Sequence, residues 1–192
     1  MLGICIATIE QCVFSTQPNC CVLFYLEIIV NDKESTAVFI GNRDCYGVNI
    51  ESIKETILYT IQSGITTFLS GGQGYFDEVC ATIVYQLKTT HPHIKNILMI
   101  PYHSFRIFDK SIFDEIVYPF DSYESSYLTY RNAIPERNRV MVMRSRIAIS
   151  YVYRNGGASK TLELARANGL EIIDLFSLSL KNEIKLKYAT LQ

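Results

Sequence analysis

The sequence predicts an α/β fold, a three-layer sandwich in which a mainly parallel central sheet is flanked by helices. Three observations predict it. Short apolar runs alternate with segments whose apolar residues recur at helical spacing, the pattern of parallel strands joined by right-handed crossovers. Two strand-to-helix joints are rich in glycine, Gly71-Gly72-Gln73-Gly74 and Gly156-Gly157. No stretch rich in Gly, Pro or Ser divides the chain, and nothing repeats beyond those two corners.

Thr36–Ile40 is a continuous apolar run, the pattern of a strand buried on both faces, and Gly41-Asn42-Arg43-Asp44 ends it. Ile50, Ile53, Ile57, Leu58 and Ile61 mark one face of a helix that Gly64 closes. Ile65–Leu69 is a second strand. Tyr75–Thr89 carries Phe76, Val79, Cys80, Ile83, Val84 and Leu87 on one helical face, and Pro92 marks its end. Asn96–Ile100 is a third strand, stopped by Pro101. Residues 102–114 are an aromatic-rich connection, and Glu115–Tyr118 reads as a short strand before Pro119. Ser122–Arg144 reads as helix in pieces, broken near Pro135. Ile147–Val152, Ser159–Asn168 and Leu170–Leu175 give strand, helix, strand, with Gly169 as the C-terminal cap of the helix. The α/β unit is thus expected over residues 36–176. Residues 1–35 are expected to form an N-terminal extension with an extra strand, and residues 177–192 a tail or short amphipathic helix.

The chain has 192 residues, enough for one well-formed core. Apolar residues are 48% and charged residues 19%, a globular composition. The net charge of -1 offers no general basic field, which argues against nucleic acid as a partner. Cys20–Val30 is apolar but too short to span a membrane, and Glu27 interrupts it. No basic leader with a small-residue cleavage site stands out. The six cysteines include no CxxC pair, and the three histidines lie far from them in sequence, so no metal site is expected. Cys80 sits among helical apolar residues and reads as a small core residue. The cysteine cluster in the first 21 residues leaves a disulfide open, while the α/β pattern of the rest favours free thiols and a cytoplasmic location.

The chemistry concentrates at the glycine corners. A strand that ends in glycine and opens a helix lets backbone approach a ligand closely, and the helix N-terminus favours an anion such as phosphate. Two such corners point to a nucleotide pocket at the carboxyl edge of a parallel sheet. Gly71, Gly72, Gly156 and Gly157 are either ligand contacts or plain turn glycines. Ser70 and Thr161 either offer hydroxyls to a phosphate or cap locally. Asp77 either meets a ribose hydroxyl or simply sits in a favourable first turn. Arg43 either contacts the ligand or pairs at the surface, and Asn138 either contacts it or pins its own helix. Val140, Met141 and Met143 read as core.

Four elements in order carry a resemblance. They are Gly41-Asn42-Arg43, Gly71-Gly72-Gln73-Gly74-Tyr75-Phe76-Asp77, Arg137-Asn138-Arg139-Val140-Met141-Val142, and Gly156-Gly157-Ala158-Ser159-Lys160-Thr161. Over residues 36–174 the chain resembles the SLOG superfamily of Rossmann-like proteins, which includes the LOG phosphoribohydrolases, the DprA-type DNA-binding proteins and the YpsA-like proteins. The YpsA-like pattern is the most similar. The resemblance implies a Rossmann-like fold that binds a nucleotide or a nucleotide-derived, ADP-ribose-like ligand, as a sensor, sequestering protein or regulator, without a cofactor. It implies ligand contacts at Gly41, Asn42, Arg43, Ser70, Gly71, Gly72, Gly74, Asp77, Asn138, Gly156, Gly157, Ser159 and Thr161. A homodimer is expected by the same analogy. In the LOG branch, the positions matching Arg137 and Glu163 are catalytic. That alternative makes the chain an N-glycosidic hydrolase of nucleoside 5′-monophosphates, with Glu163 the carboxylate and Arg137 the cation on the phosphate. Asn155, in place of the usual proline, departs from the LOG pattern, and Glu163 has the more ordinary explanation of a glutamate near a helix N-terminus. DprA-like binding of single-stranded DNA is the second alternative.

Overall fold

The computed structural model describes residues 33–45, 47–120 and 132–180. The expected extra strand of the N-terminal extension therefore lies outside the described residues, as do residues 122–131 and most of the expected C-terminal tail. Residues 175–180 are helical and follow directly on the last strand.

Ahead of that last helix the described residues form, in order, β1 (Thr36–Gly41), α1 (Ile50–Gln62), β2 (Thr67–Ser70), α2 (Tyr75–Leu87), β3 (Lys95–Met99), β4 (Glu115–Val117), α3 (Ala133–Met143), β5 (Ile147–Tyr151), α4 (Gly157–Ala167) and β6 (Glu171–Asp174). The six strands form one sheet in the order β4-β3-β2-β1-β5-β6, and every pairing is parallel. The expected α/β sandwich is present, with a sheet that is wholly rather than mainly parallel among the described strands. β1 and β5 lie side by side within it. They pair with Phe39 opposite Ile149, and both strands are buried almost throughout.

Side chains alternate across the sheet, so each strand feeds two cores. Ala37, Phe39, Phe68, Ile147 and Ile149 pack against Ile53 and Ile57 of α1 and against Phe76, Cys80 and Val84 of α2. Val38, Ile40, Leu69, Met99 and Ala148 face the opposite layer, where Met141 and Val142 of α3 and Leu162 and Ala165 of α4 cover them. Asn49 starts α1, its Oδ1 accepting from the Glu51 and Ser52 N–H groups at 2.9 and 3.2 Å. Gly169, at φ +73, turns the chain out of α4 into β6.

Two local expectations are corrected. Within the described residues Pro135 marks the start of a helix rather than a break inside one. It lies in the first turn of α3, after Ala133 and Ile134, where the N–H it lacks would have no intrahelical acceptor. Met143 is not core: it is 49% exposed, because the buried stripe of α3 runs through Ala133, Arg137, Met141 and Val142. Among the described residues, no helix is long and apolar enough to cross a membrane.

The close fit of α2 on β1 depends on Gly41. A methyl group there would lie 2.3 Å from Cδ1 of Phe76, whose ring is buried between Phe39 and Tyr151. Gly41→Ala is expected to lower the unfolding free energy by about 2 kcal/mol, as overpacking of a dense core does, measured by urea denaturation. The two described cysteines, Cys45 and Cys80, are free and buried. Burial pushes the Cys45 thiol up to about 11 and raises Cys80 well above its ordinary value. At pH 8 only about one Cys45 thiol in a thousand is then ionised. Iodoacetamide at that pH is expected to leave both unmodified in the folded protein and to modify both in urea, read by peptide mass spectrometry.

Candidate functional site

The chain order creates the site. From β1 it moves through β2 and β3 to β4 on one side, then returns to place β5 on the other side of β1. The connections diverge at the carboxyl ends of β1 and β5, which is where an open parallel sheet forms a crevice. A cleft of about 580 Å³ lies there. Of the residues singled out in the sequence, Gly41, Asn42, Arg43, Gly71, Asp77, Arg137, Asn138, Gly156, Gly157 and Thr161 line it. Ser70, Gly72, Gly74, Ser159 and Glu163 do not. Both glycine corners and Arg137 therefore share one cavity.

The first corner is held from within. The Gly72 N–H donates to Ser70 Oγ at 3.2 Å, and the Gln73 N–H donates to Asp77 Oδ2 at 2.8 Å. Asp77, in the first turn of α2, thus reaches back to the loop that precedes its helix, as the acid of a capping box does. Burial pushes its carboxyl up, while the Gln73 N–H and the Arg137 charge pull it down. Gly74 adopts φ +127, and a side chain there would lie 2.5 Å from the Arg43 Cα. The absence of one lets the Tyr75 N–H reach Arg43 O at 2.9 Å, tying the start of α2 to the loop after β1.

Arg137 joins the elements around the cleft. It is 1% exposed, and its fork closes on carbonyls at the ends of two strands. Nη1 donates to Gly71 O and to Met99 O, both at 2.5 Å, and Nη2 donates to Gln73 Oε1 at 3.3 Å. A methyl group on Gly71 would meet the guanidinium carbon at 3.0 Å, so the bare backbone of Gly71 is what makes room for the fork. Burial lowers the Arg137 pKa to about 10, opposed by the charge of Asp77, which leaves the side chain a cation at neutral pH. A buried cation needs such partners, since an unpaired one costs several kcal/mol.

A relay then crosses to the second corner. Arg137 Nε donates to Asn138 Oδ1 at 2.9 Å, Asn138 Nδ2 donates to Thr161 Oγ1 at 3.0 Å, and Thr161 Oγ1 donates to Gly157 O at 2.9 Å. Ser159 steadies the same turn, accepting from the Gly156 N–H at 2.9 Å. A methyl group on Gly156 or Gly157 would meet nothing within 4 Å, so the backbone of this corner is open to the cleft. The first turn of α4 carries no acidic side chain, which leaves its positive end unopposed for an anion.

Asn42 completes the frame. Its Oδ1 accepts from the Tyr153 N–H at 2.9 Å and the Arg154 N–H at 3.4 Å, and its Nδ2 donates to Arg154 O at 3.4 Å. The loops after β1 and β5 are thus bound together by one 6% exposed side chain. Four polar lining residues were not among the sequence candidates: Asp44, Gln73, Arg154 and Asn155. Arg154 had a signal, as a cation just ahead of a glycine corner. Its Nη2 sits 2.7 Å from both carboxylate oxygens of Asp44, and its guanidinium lies 5.5 Å from the centre of the Tyr153 ring. Glu163 is exposed on α4, and the carboxylates that line the cleft are Asp44 and Asp77.

No protein-family model matches the chain, and no curated protein does. Solved structures do. One is the X-ray structure of DNA processing protein A (DprA) from Streptococcus pneumoniae, with TM-score 0.55 and 16% identity over 76% of this chain and 51% of that one. Another is DprA from Helicobacter pylori, described for its single-stranded DNA binding mode, with TM-score 0.51 and 14% identity over 77% of this chain and 67% of that one. The chain thus spans about half of the first protein and two thirds of the second. At these identities the likeness speaks to the fold, and it is the Rossmann-like fold of the DprA-type proteins. It overturns the expectation that nucleic acid is an improbable partner. That expectation came from a net charge of -1, which averages the whole surface, whereas nucleic acid reads a local patch. Here three arginines, Arg43, Arg137 and Arg154, line a single cleft with two aspartates.

Removing Arg137 orphans the carbonyls of Gly71 and Met99. Arg137→Ala is expected to cost about 3 kcal/mol of unfolding free energy, measured by urea denaturation. Arg137→Lys should recover less than half of that, because an ammonium cannot reproduce the fork.

Proposed function

We propose that the cleft binds the phosphate and sugar of a nucleotide, and that single-stranded DNA is the form in which it is presented. The observation that carries this reading is the convergence of two glycine corners and three arginines on one cleft at the carboxyl edge of β1 and β5. Phosphate recognition needs backbone that can approach closely and cations whose forks match its oxygens. Arg137 is bound to carbonyls, so it shapes the cleft and lends it charge. Arg43 and Arg154 are exposed at its rim and are the cations to meet a phosphate directly. Tyr153, 39% exposed beside Arg154, offers a ring on which a base can stack. The fold shared with DprA, one of whose members is described as binding single-stranded DNA, supports the strand over a duplex. The four motifs keep the chain beside the YpsA-like group within this reading.

A free nucleotide or ADP-ribose-like ligand is the second reading. The concave shape and volume of about 580 Å³ favour it, since small-ligand sites span roughly 300–1,000 Å³.

Fluorescence anisotropy with a labelled oligothymidine of about 20 nucleotides tests the first reading. Saturable binding is expected, weakening with salt by about 0.7 in log K per unit log salt for each phosphate contacted. Arg43→Ala and Arg154→Ala should each weaken binding and flatten that slope. Binding of AMP or ADP-ribose without binding of the strand establishes the second reading, and binding of neither by folded protein sinks both.

A further inference from the structure

Arg154 is an exposed cation that a ligand in the cleft would meet, yet it is already engaged. One of its terminal nitrogens lies 2.7 Å from each oxygen of Asp44, and the two side chains are 52% and 44% exposed. A pair so exposed contributes little to stability. Its position gives it another consequence. Asp44 belongs to the loop after β1 and Arg154 to the loop after β5, and both line the cleft. The pair spans the switch point at which the proposed ligand enters.

The backbone beneath this pair is held by other bonds, and the two side chains above it are partly exposed. Asn42 holds the N–H and the carbonyl of Arg154, and the Tyr153 hydroxyl donates to Asp44 O at 3.4 Å. The two loops therefore stay together whether or not the ion pair is made. The guanidinium rests over the face of the Tyr153 ring, a surface along which a planar cation turns while keeping its cation–π contact. Arg154 can leave Asp44 without any backbone rearrangement.

We propose that Asp44 and Arg154 form an exchange gate: the carboxylate occupies, in the free protein, the guanidinium that a ligand phosphate takes on binding. This rests on the reading of the cleft as a nucleotide site and names what selects there. Binding breaks one charge-assisted pair and makes another, so only a ligand with an oxyanion of comparable strength opens the gate. A phosphate qualifies, with two unesterified oxygens and a full negative charge. A nucleoside, which has the same base and sugar but no phosphate, leaves Asp44 on Arg154 and gains no contact with that side chain. Asp44 is thus a specificity residue that acts through Arg154.

A double-mutant cycle with the labelled oligothymidine tests the gate. Asp44→Asn keeps the shape of the side chain and removes its charge, and it should tighten binding about fivefold, the scale of one exposed ion pair. In the Arg154→Ala background the same change should have no effect, because the gain comes from freeing Arg154. Unaltered urea midpoints for Asp44→Asn and Arg154→Ala show that both proteins are folded. An equal gain from Asp44→Asn with and without Arg154 overturns the gate in favour of simple repulsion between Asp44 and the ligand. Weaker binding by Asp44→Asn overturns it too, and makes Asp44 a direct ligand contact. If the wild-type protein binds no strand, AMP or ADP-ribose, the failure belongs to the underlying reading and not to the gate.

Discussion

The buried guanidinium of Arg137 is the interaction on which the cleft depends. It takes the carbonyls of Gly71 and Met99, at the ends of β2 and β3, and passes a hydrogen-bond relay through Asn138 and Thr161 to Gly157 at the start of α4. A parallel sheet leaves carbonyls at its carboxyl edge with no further strand residue to satisfy them, and buried polar groups must find partners. One planar, permanently charged group with five donors meets that need at two strand ends at once. The same contacts fix the first glycine corner against α3 and link α3 to the second corner. The two loops of the cleft are therefore held in place by the protein's own hydrogen bonds.

The frame leaves different work to the different arginines. Arg137 is enclosed, and its bonds are to the protein itself. Arg43 and Arg154 stand at the rim, on loops that Asn42 and the Tyr75 N–H hold in place. A rigid scaffold carrying exposed cations on short loops is a common arrangement for ligand recognition. It also shows why the charge of the whole chain misleads. Acidic residues elsewhere offset the sum, while the cleft itself holds three arginines against two aspartates, between walls of low dielectric that concentrate the local field.

Much of the architecture was legible in the sequence because its signals are local and redundant. Apolar runs such as Thr36–Ile40, helical periodicity such as Ile53–Ile57–Ile61, and glycines at the turns all point the same way, and agreement among levels is what specifies a fold. Parallel strands also restrict topology strongly, since the crossovers must be right-handed. Pro135 misled because proline has opposite meanings at the start and in the middle of a helix, and the start of α3 has no side-chain cap to mark it. Met143 misled because α3 is weakly amphipathic in sequence: its buried stripe includes a charged residue, Arg137, whose burial follows from partners elsewhere in the chain.

The sequence by itself determined the alternation of strands and helices, the two glycine corners, and the candidate residues grouped around them. Those follow from dihedral freedom, side-chain period and helix-end chemistry, which act over a few residues. Only the tertiary structure decided what each polar residue does. Arg137 and Met99 are 38 positions apart, and Asn42 and Arg154 are 112 apart. Whether an arginine meets a carbonyl, a carboxylate or open space is fixed by such distant partners. The strand order that brings β5 beside β1 supplies them, and no local pattern encodes that order.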